Sequence, residues 1–146
     1  MENIEKIKLI DARMHEISDM LDDLNAKYRK LERERFELIV DELKSAVGMC
    51  LQTDDEVMRI TGVPQVEWDD HFHMHYGQRV PCLVVTNDSE VFMDTLAIHN
   101  DSDPIEYLRS NYKEISNDEF EKRLMEVFEW MRNIGIRDSG NQTEKK

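Results

Sequence analysis

From Ile7 to Leu38 an apolar residue returns every three or four positions: Ile7, Ile10, Met14, Ile17, Leu21, Leu24, Tyr28, Leu31, then Leu38, with Arg35 out of pattern. Alternating steps of three and four average 3.5, the period of a left-handed coiled-coil seam. A single helix cannot bury so narrow a stripe. The spacing therefore predicts a dimerising heptad helix over residues 1–47; about 45 helical residues at 1.5 Å per residue are about 68 Å long. With Ile7 at a and Ile10 at d, the g-to-e pairs Lys6–Asp11 and Lys27–Glu32 are attractive and none is repulsive, which favours a parallel pair. Beyond Arg35 the apolar positions become Phe36, Ile39, Val40, Leu43 and Val47, a wider stripe suited to packing on a globular core.

Gly48 is placed to stop this helix. Thr53-Asp54-Asp55-Glu56 has the form of a capping box and predicts a short helix carrying Val57 and Ile60, closed by Gly62 and Pro64. The pattern then changes to period two. Val66, Trp68, Phe72, Met74 and Tyr76 alternate with Glu67, Asp69, His71, His73 and His75, with Asp70 as the exception on the apolar side. Gly77-Gln78 predicts a hairpin turn into a strand from Arg79 to Thr86, and Asn87 to Glu90 a turn into a third strand, Val91 to Ile98. Pairing Tyr76 with Arg79 and Thr86 with Val91 sorts Leu83, Val85, Phe92, Leu96 and Ile98 onto one bulky face. Val80, Cys82 and Val84 fall on the other, and Asp94 sits unexplained on the bulky side.

Asp103-Pro104 predicts a capped helix through Ile105, Leu108 and Tyr112. Ser116-Asn117-Asp118-Glu119 is a second capping box, with Ile115 and Phe120 spaced as a hydrophobic staple. Its helix carries Phe120, Leu124, Val127, Phe128, Met131 and Ile134 as the cover for the bulky sheet face, and Gly135 is expected to end it. The fold class is thus α+β: a long coiled-coil helix, residues 1–47, and a small domain, residues 48–136. That domain holds a three-stranded antiparallel meander packed on a C-terminal helix. Residues 137–146 are expected to be a disordered tail.

Charge sharpens this picture. The 146 residues carry a net charge of −13. Residues 51–103 hold Arg59 and Arg79 against 11 acidic groups, net −9, while the flanking segments are near balance. Such a field repels nucleic acid and anionic membrane and attracts basic partners. The candidate partner contacts are Asp54, Asp55, Glu56, Glu67, Asp69, Asp70, Asp88 and Glu90. Two cysteines without a CxxC spacing point to a reducing, cytoplasmic setting. No apolar run reaches the roughly 18 residues of a membrane span.

One constellation could hold a metal. His71, His73 and His75 alternate along a strand, and the expected register brings Cys82 beside His73, so a zinc site from His71, His73 and Cys82, or from His73, His75 and Cys82, is sterically feasible. The plainer reading is an amphipathic strand with a histidine-rich polar face, and the three imidazoles would also charge together near pH 6. No phosphate-cradling glycine loop or nucleophile elbow is present. In size, acidity and helix–three-strand–helix order the outline is similar to the acidic secretion chaperones. The long heptad helix departs from their pattern, and no residue is carried over from them.

The sequence thus predicts a non-enzymatic, acidic homodimer that engages a basic surface of another protein as inhibitor or adaptor, in competition with nucleic acid where that surface also holds it. The alternatives are a metal-dependent enzyme or metal-binding protein built on the histidine strand, and a coiled-coil tether or small acidic chaperone within a larger assembly.

Overall fold

The computed structural model describes residues 2–68, 71, 74–99 and 102–144. Helix α1 runs Glu2–Lys44, and the chain then forms strands β1 (Cys50–Gln52) and β2 (Glu56–Ile60). Next come β3 (Val66–Trp68), β4 (Met74–Tyr76), β5 (Arg79–Thr86) and β6 (Val91–Ala97). Helix α2 (Pro104–Asn111), strand β7 (Lys113–Ile115) and helix α3 (Asn117–Glu144) complete the order. Among the described residues no helix is long and apolar enough to cross a membrane.

The chain divides into two compact units, Met1–Leu38 and Ile39–Lys146. The first is a single helix. Its exposed faces carry i,i+4 pairs, Lys6–Glu2, Lys27–Asp23 and Arg33–Glu37, at 3.2 to 3.6 Å. Each contributes a few tenths of a kcal/mol to an isolated helix. The helix ends after Lys44, and Gly48 follows at φ +93°, a backbone conformation that favours glycine.

The second unit is built on a five-stranded sheet in the order β6-β5-β2-β1-β7, with β3 and β4 forming a separate two-stranded pair. All pairings are antiparallel. The sheet is covered on both faces. On one face, Leu51, Met58, Ile60, Val80, Cys82, Val84 and Leu96 pack with Ile39 and Leu43 from the end of α1, Ala46 in the turn after it, and Leu108 of α2. On the other, Cys50, Val57, Val85 and Ile115 pack with Phe120 and Val127 of α3. Double coverage explains why β5 is apolar on both sides, as a central strand must be.

Several expectations are corrected here. Residues 53–60 form a hairpin turn and strand β2 instead of a helix. The Thr53 hydroxyl accepts from Asp55 N–H at 3.4 Å, and Thr53 N–H donates to Glu56 O at 2.9 Å. A threonine that bonds a nearby backbone amide can start a helix or a turn. Burial of Val57, Met58 and Ile60 decides for the strand. The expected meander is also changed: β4 pairs with β3, and β5 takes β2 as its neighbour, so the 66–76 stretch is not the first strand of the main sheet. The β5–β6 hairpin forms, but Val85 instead of Thr86 lies opposite Val91. Ser89, at φ +65°, closes a three-residue loop over 87–89, and this shortens the turn by one position. Finally, α3 continues through Gly135 to Glu144, past the expected end and into the tail. A single helical glycine costs only about 1 kcal/mol and need not break a helix.

Candidate docking surfaces

The nine apolar seam residues of α1, Ile7 to Leu38, are 54–68% exposed. Ile39 and Leu43, one turn further on, are buried. The change from seam to core therefore falls where the apolar stripe widens. The seam is a strip of unburied aliphatic surface on a charged helix, and such a strip has a chemical use only when another surface covers it.

The acidic candidates divide into three groups. Asp54, Asp55 and Glu56 lie in the β1–β2 turn and at the start of β2, and Asp88 and Glu90 lie in the β5–β6 turn. Glu56 stands opposite Thr86 across the β2–β5 ladder, so both turns share one end of the sheet. Asn87 ties them together. Its N–H donates to Asp55 O at 2.9 Å, and its side-chain amide donates to Asp54 O at 3.0 Å. Glu90 N–H is held by the Thr86 hydroxyl at 3.1 Å. Arg123 of α3 donates to Asn87 Oδ1 at 2.7 Å and lies 3.9 Å from the Glu126 carboxylate. Five carboxylates from two distant stretches of sequence are thus gathered on a hydrogen-bonded frame. Glu67 stands apart, opposite His75 in the β3–β4 pair. Asp69 and Asp70 lie outside the described residues.

The histidine–cysteine site is not assembled by the described strands. The expected β4–β5 pairing would have set Cys82 beside His73, but Cys82 lies between Ile60 and Asp94 in the main sheet. His75 is in the other sheet, His71 is in the turn between β3 and β4, and His73 lies outside the described residues. Among the described residues no group of three potential ligands is placed to hold a metal ion. The Cys82 thiol is buried and donates to Asp94 O at 3.6 Å. Burial, with the nearby Asp94 and Glu56 charges, pushes its pKa up from 9.0 to about 11.

Two features are not legible as sites in the sequence. Arg59 projects from β2 toward the start of α3. Its guanidinium lies 4.4 Å from the centre of the Phe120 ring, donates to Asn117 Oδ1 at 2.7 Å, and pairs with Glu121. The hydrogen bond with Glu121 raises the Arg59 pKa further. This clasp joins the sheet to α3 and is structural. The second feature is a shallow groove between the start of β6 and the middle of α3, lined by Val91, Phe92, Phe128, Trp130 and Met131. Phe128, Trp130 and Met131 are each about half exposed. The stripe expected to cover the sheet does so only through Phe120, Leu124 and Val127.

No protein-family model, curated protein or solved structure matches the chain.

Proposed function

We propose that this protein is a non-enzymatic binding module. It is an acidic homodimer, paired in parallel through the α1 seam as a coiled coil, that engages a basic surface of another protein. It acts there as an inhibitor or adaptor in a reducing, cytoplasmic setting. The observation that carries this reading is the gathering of Asp54, Asp55, Glu56, Asp88 and Glu90 at one end of the sheet on the Asn87 frame. The backbone that carries these carboxylates is held by the Asn87 and Thr86 hydrogen bonds, so a docking partner need not order it, and their field speeds encounter. The exposed seam supports the pairing, because two copies would bury what one leaves in water. Cys50 and Cys82, both free, suit a reducing compartment.

The test has two arms. Light scattering should give a dimer for the full chain and a folded monomer for the Leu21→Asp/Leu24→Asp variant. Binding of a fluorescent lysine-rich peptide should weaken more than tenfold between about 0.05 and about 0.5 M salt, as screening shortens the range of the charges. It should also weaken in the Asp54→Lys/Asp55→Lys/Asp88→Lys variant. Binding indifferent to both salt and charge reversal overturns the reading.

A further inference from the structure

Strand β6 is the outer strand at one edge of the main sheet. The phase of its ladder follows from two flanking bonds. Thr86 N–H donates to Glu90 O at 2.9 Å, and Ile98 N–H donates to Gln78 O at 2.7 Å. Even-numbered residues of β6 therefore bond to β5, and Val91, Met93, Thr95 and Ala97 turn their amides and carbonyls outward. The edge is seven residues long and contains no proline and no lysine, the usual guards of such an edge. Its middle is open to water: Met93 is 61% exposed, and Phe92, Asp94 and Thr95 are exposed too. Among these outward amides, that of Thr95 donates to the carboxylate of its own neighbour Asp94 at 2.8 Å.

We propose that this edge receives an extended peptide segment in which apolar and basic residues alternate, paired antiparallel to β6 as a sixth strand. This deepens the reading above and rests on it, since it names the form in which a basic partner docks.

The alternation follows from the two faces. Val91 and Met93 lie opposite Val85 and Leu83, on the face that α3 covers. Residues of an added strand that bond to the outward groups of β6 point to that same face, above Met93 and toward the open flank of α3. There Phe128, Trp130 and Met131 already line an apolar groove that reaches Val91, so these positions take aliphatic side chains. The alternate positions point to the other face, beside Asp94, and take lysine or arginine. Glu90 at the head of the strand adds a further exposed carboxylate.

Charge also argues against a second copy as the occupant. Asp94 is the central residue of β6, so a symmetric antiparallel pair of β6 strands in full overlap would set two aspartates directly opposite each other, which is destabilising. A basic residue in the same place draws the Asp94 carboxylate toward itself and releases the Thr95 amide for the ladder.

The probe is a labelled heptapeptide of alternating lysine and valine, with blocked ends, titrated against the full-length protein by fluorescence anisotropy. Two further peptides carry N-methyl groups on the valines only or on the lysines only. Valine amides would face β6 and lysine amides would face water, so valine methylation should weaken binding more than tenfold and lysine methylation less than threefold. Met93→Pro should reproduce the tenfold loss without altering any charge, since its amide lies outside the β5–β6 ladder. If Met93→Pro fails to fold, the methylated peptides on the unmodified protein still decide. Equal binding of both methylated peptides overturns the added strand and leaves the charge-driven reading standing. Peptide binding that ignores salt as well as methylation overturns both. No binding of the unmodified peptide overturns the added strand, and the lysine-rich probe then tests the broader reading separately.

Discussion

Leu38 and Leu43 sit five residues apart on one helix, and their replacement by alanine should have opposite consequences. Leu43 is fully buried against the sheet, whereas Leu38 is 68% exposed. Truncating a fully buried leucine removes its transfer free energy and leaves a cavity, about 2–5 kcal/mol together. Against a typical total stability of about 5–15 kcal/mol, Leu43→Ala removes a large share. At about 4–8 °C per kcal/mol for a domain near 100 residues, a mid-range loss of about 3 kcal/mol lowers Tm by about 12–24 °C. Urea unfolding followed by far-ultraviolet circular dichroism should show the drop at every protein concentration. Leu38→Ala should leave the midpoint of the sheet-bearing unit within about 0.5 kcal/mol. Its cost should appear only in the concentration at which the chains associate. If Leu43→Ala costs under about 1 kcal/mol, the end of α1 is not part of the core. If Leu38→Ala costs as much as Leu43→Ala regardless of concentration, the seam packs on its own chain and the homodimer is refuted.

Other substitutions test the remaining contacts. Phe120→Ala should cost about 3–5 kcal/mol in urea unfolding, because the ring is fully buried beneath Arg59, and a loss under 1 kcal/mol would show that α3 is not anchored there. Ser116→Ala should cost about 1 kcal/mol, since the Ser116 hydroxyl accepts from Glu119 N–H at 3.1 Å as the N-cap of α3. No change in helix content or midpoint would deny the cap. The Cys82 thiol, at about 11 in the fold, holds its proton where an unfolded thiol has lost it. The folded state then binds more protons than the unfolded state, so this group's contribution to stability is full below pH 9 and is lost as pH rises through about 11. Iodoacetamide at pH 9 should label Cys82 slowly in the native protein and fast in urea, read by mass spectrometry of its peptide. Equal rates would show the thiol to be open.

The helices were largely legible because their signals are local. The Asp103 cap forms as its sequence implies, with Glu106 N–H donating to Asp103 Oδ1 at 3.1 Å. Ile115 and Phe120 meet in one cluster as the staple spacing requires. The sheet was only half legible. Three-residue strands such as β1 and β7 are too short to display a period of two, and β7 is recognisable only by its pairing with β1. A one-residue error at the Asn87–Glu90 turn shifted the β5–β6 register, because nothing in the sequence distinguishes a three-residue from a four-residue loop when serine, not glycine, takes the left-handed position. The acidic candidates were found by composition. Their gathering was not, since Asp54 and Asp88 meet through Asn87, whose side chain has no periodic signature. The sequence places β6 as the outer, third strand of a meander, but which of its amides face outward depends on the ladder phase, and that is not legible until the length of the 87–89 loop is known.

Strand order has a consequence for synthesis on the ribosome. β1 lies between β2 and β7, so Cys50 acquires its second neighbour only when Ile115 arrives, and the cluster on that face needs Phe120 and Val127 as well. α1 is complete at Lys44. At about 5–20 residues per second the ribosome needs about 4–17 s to make the intervening chain. Throughout that interval the seam helix can be finished and exposed while its own domain cannot yet close. On a message carrying several ribosomes, the pairing proposed above would then begin between neighbouring nascent helices and precede the folding of each domain.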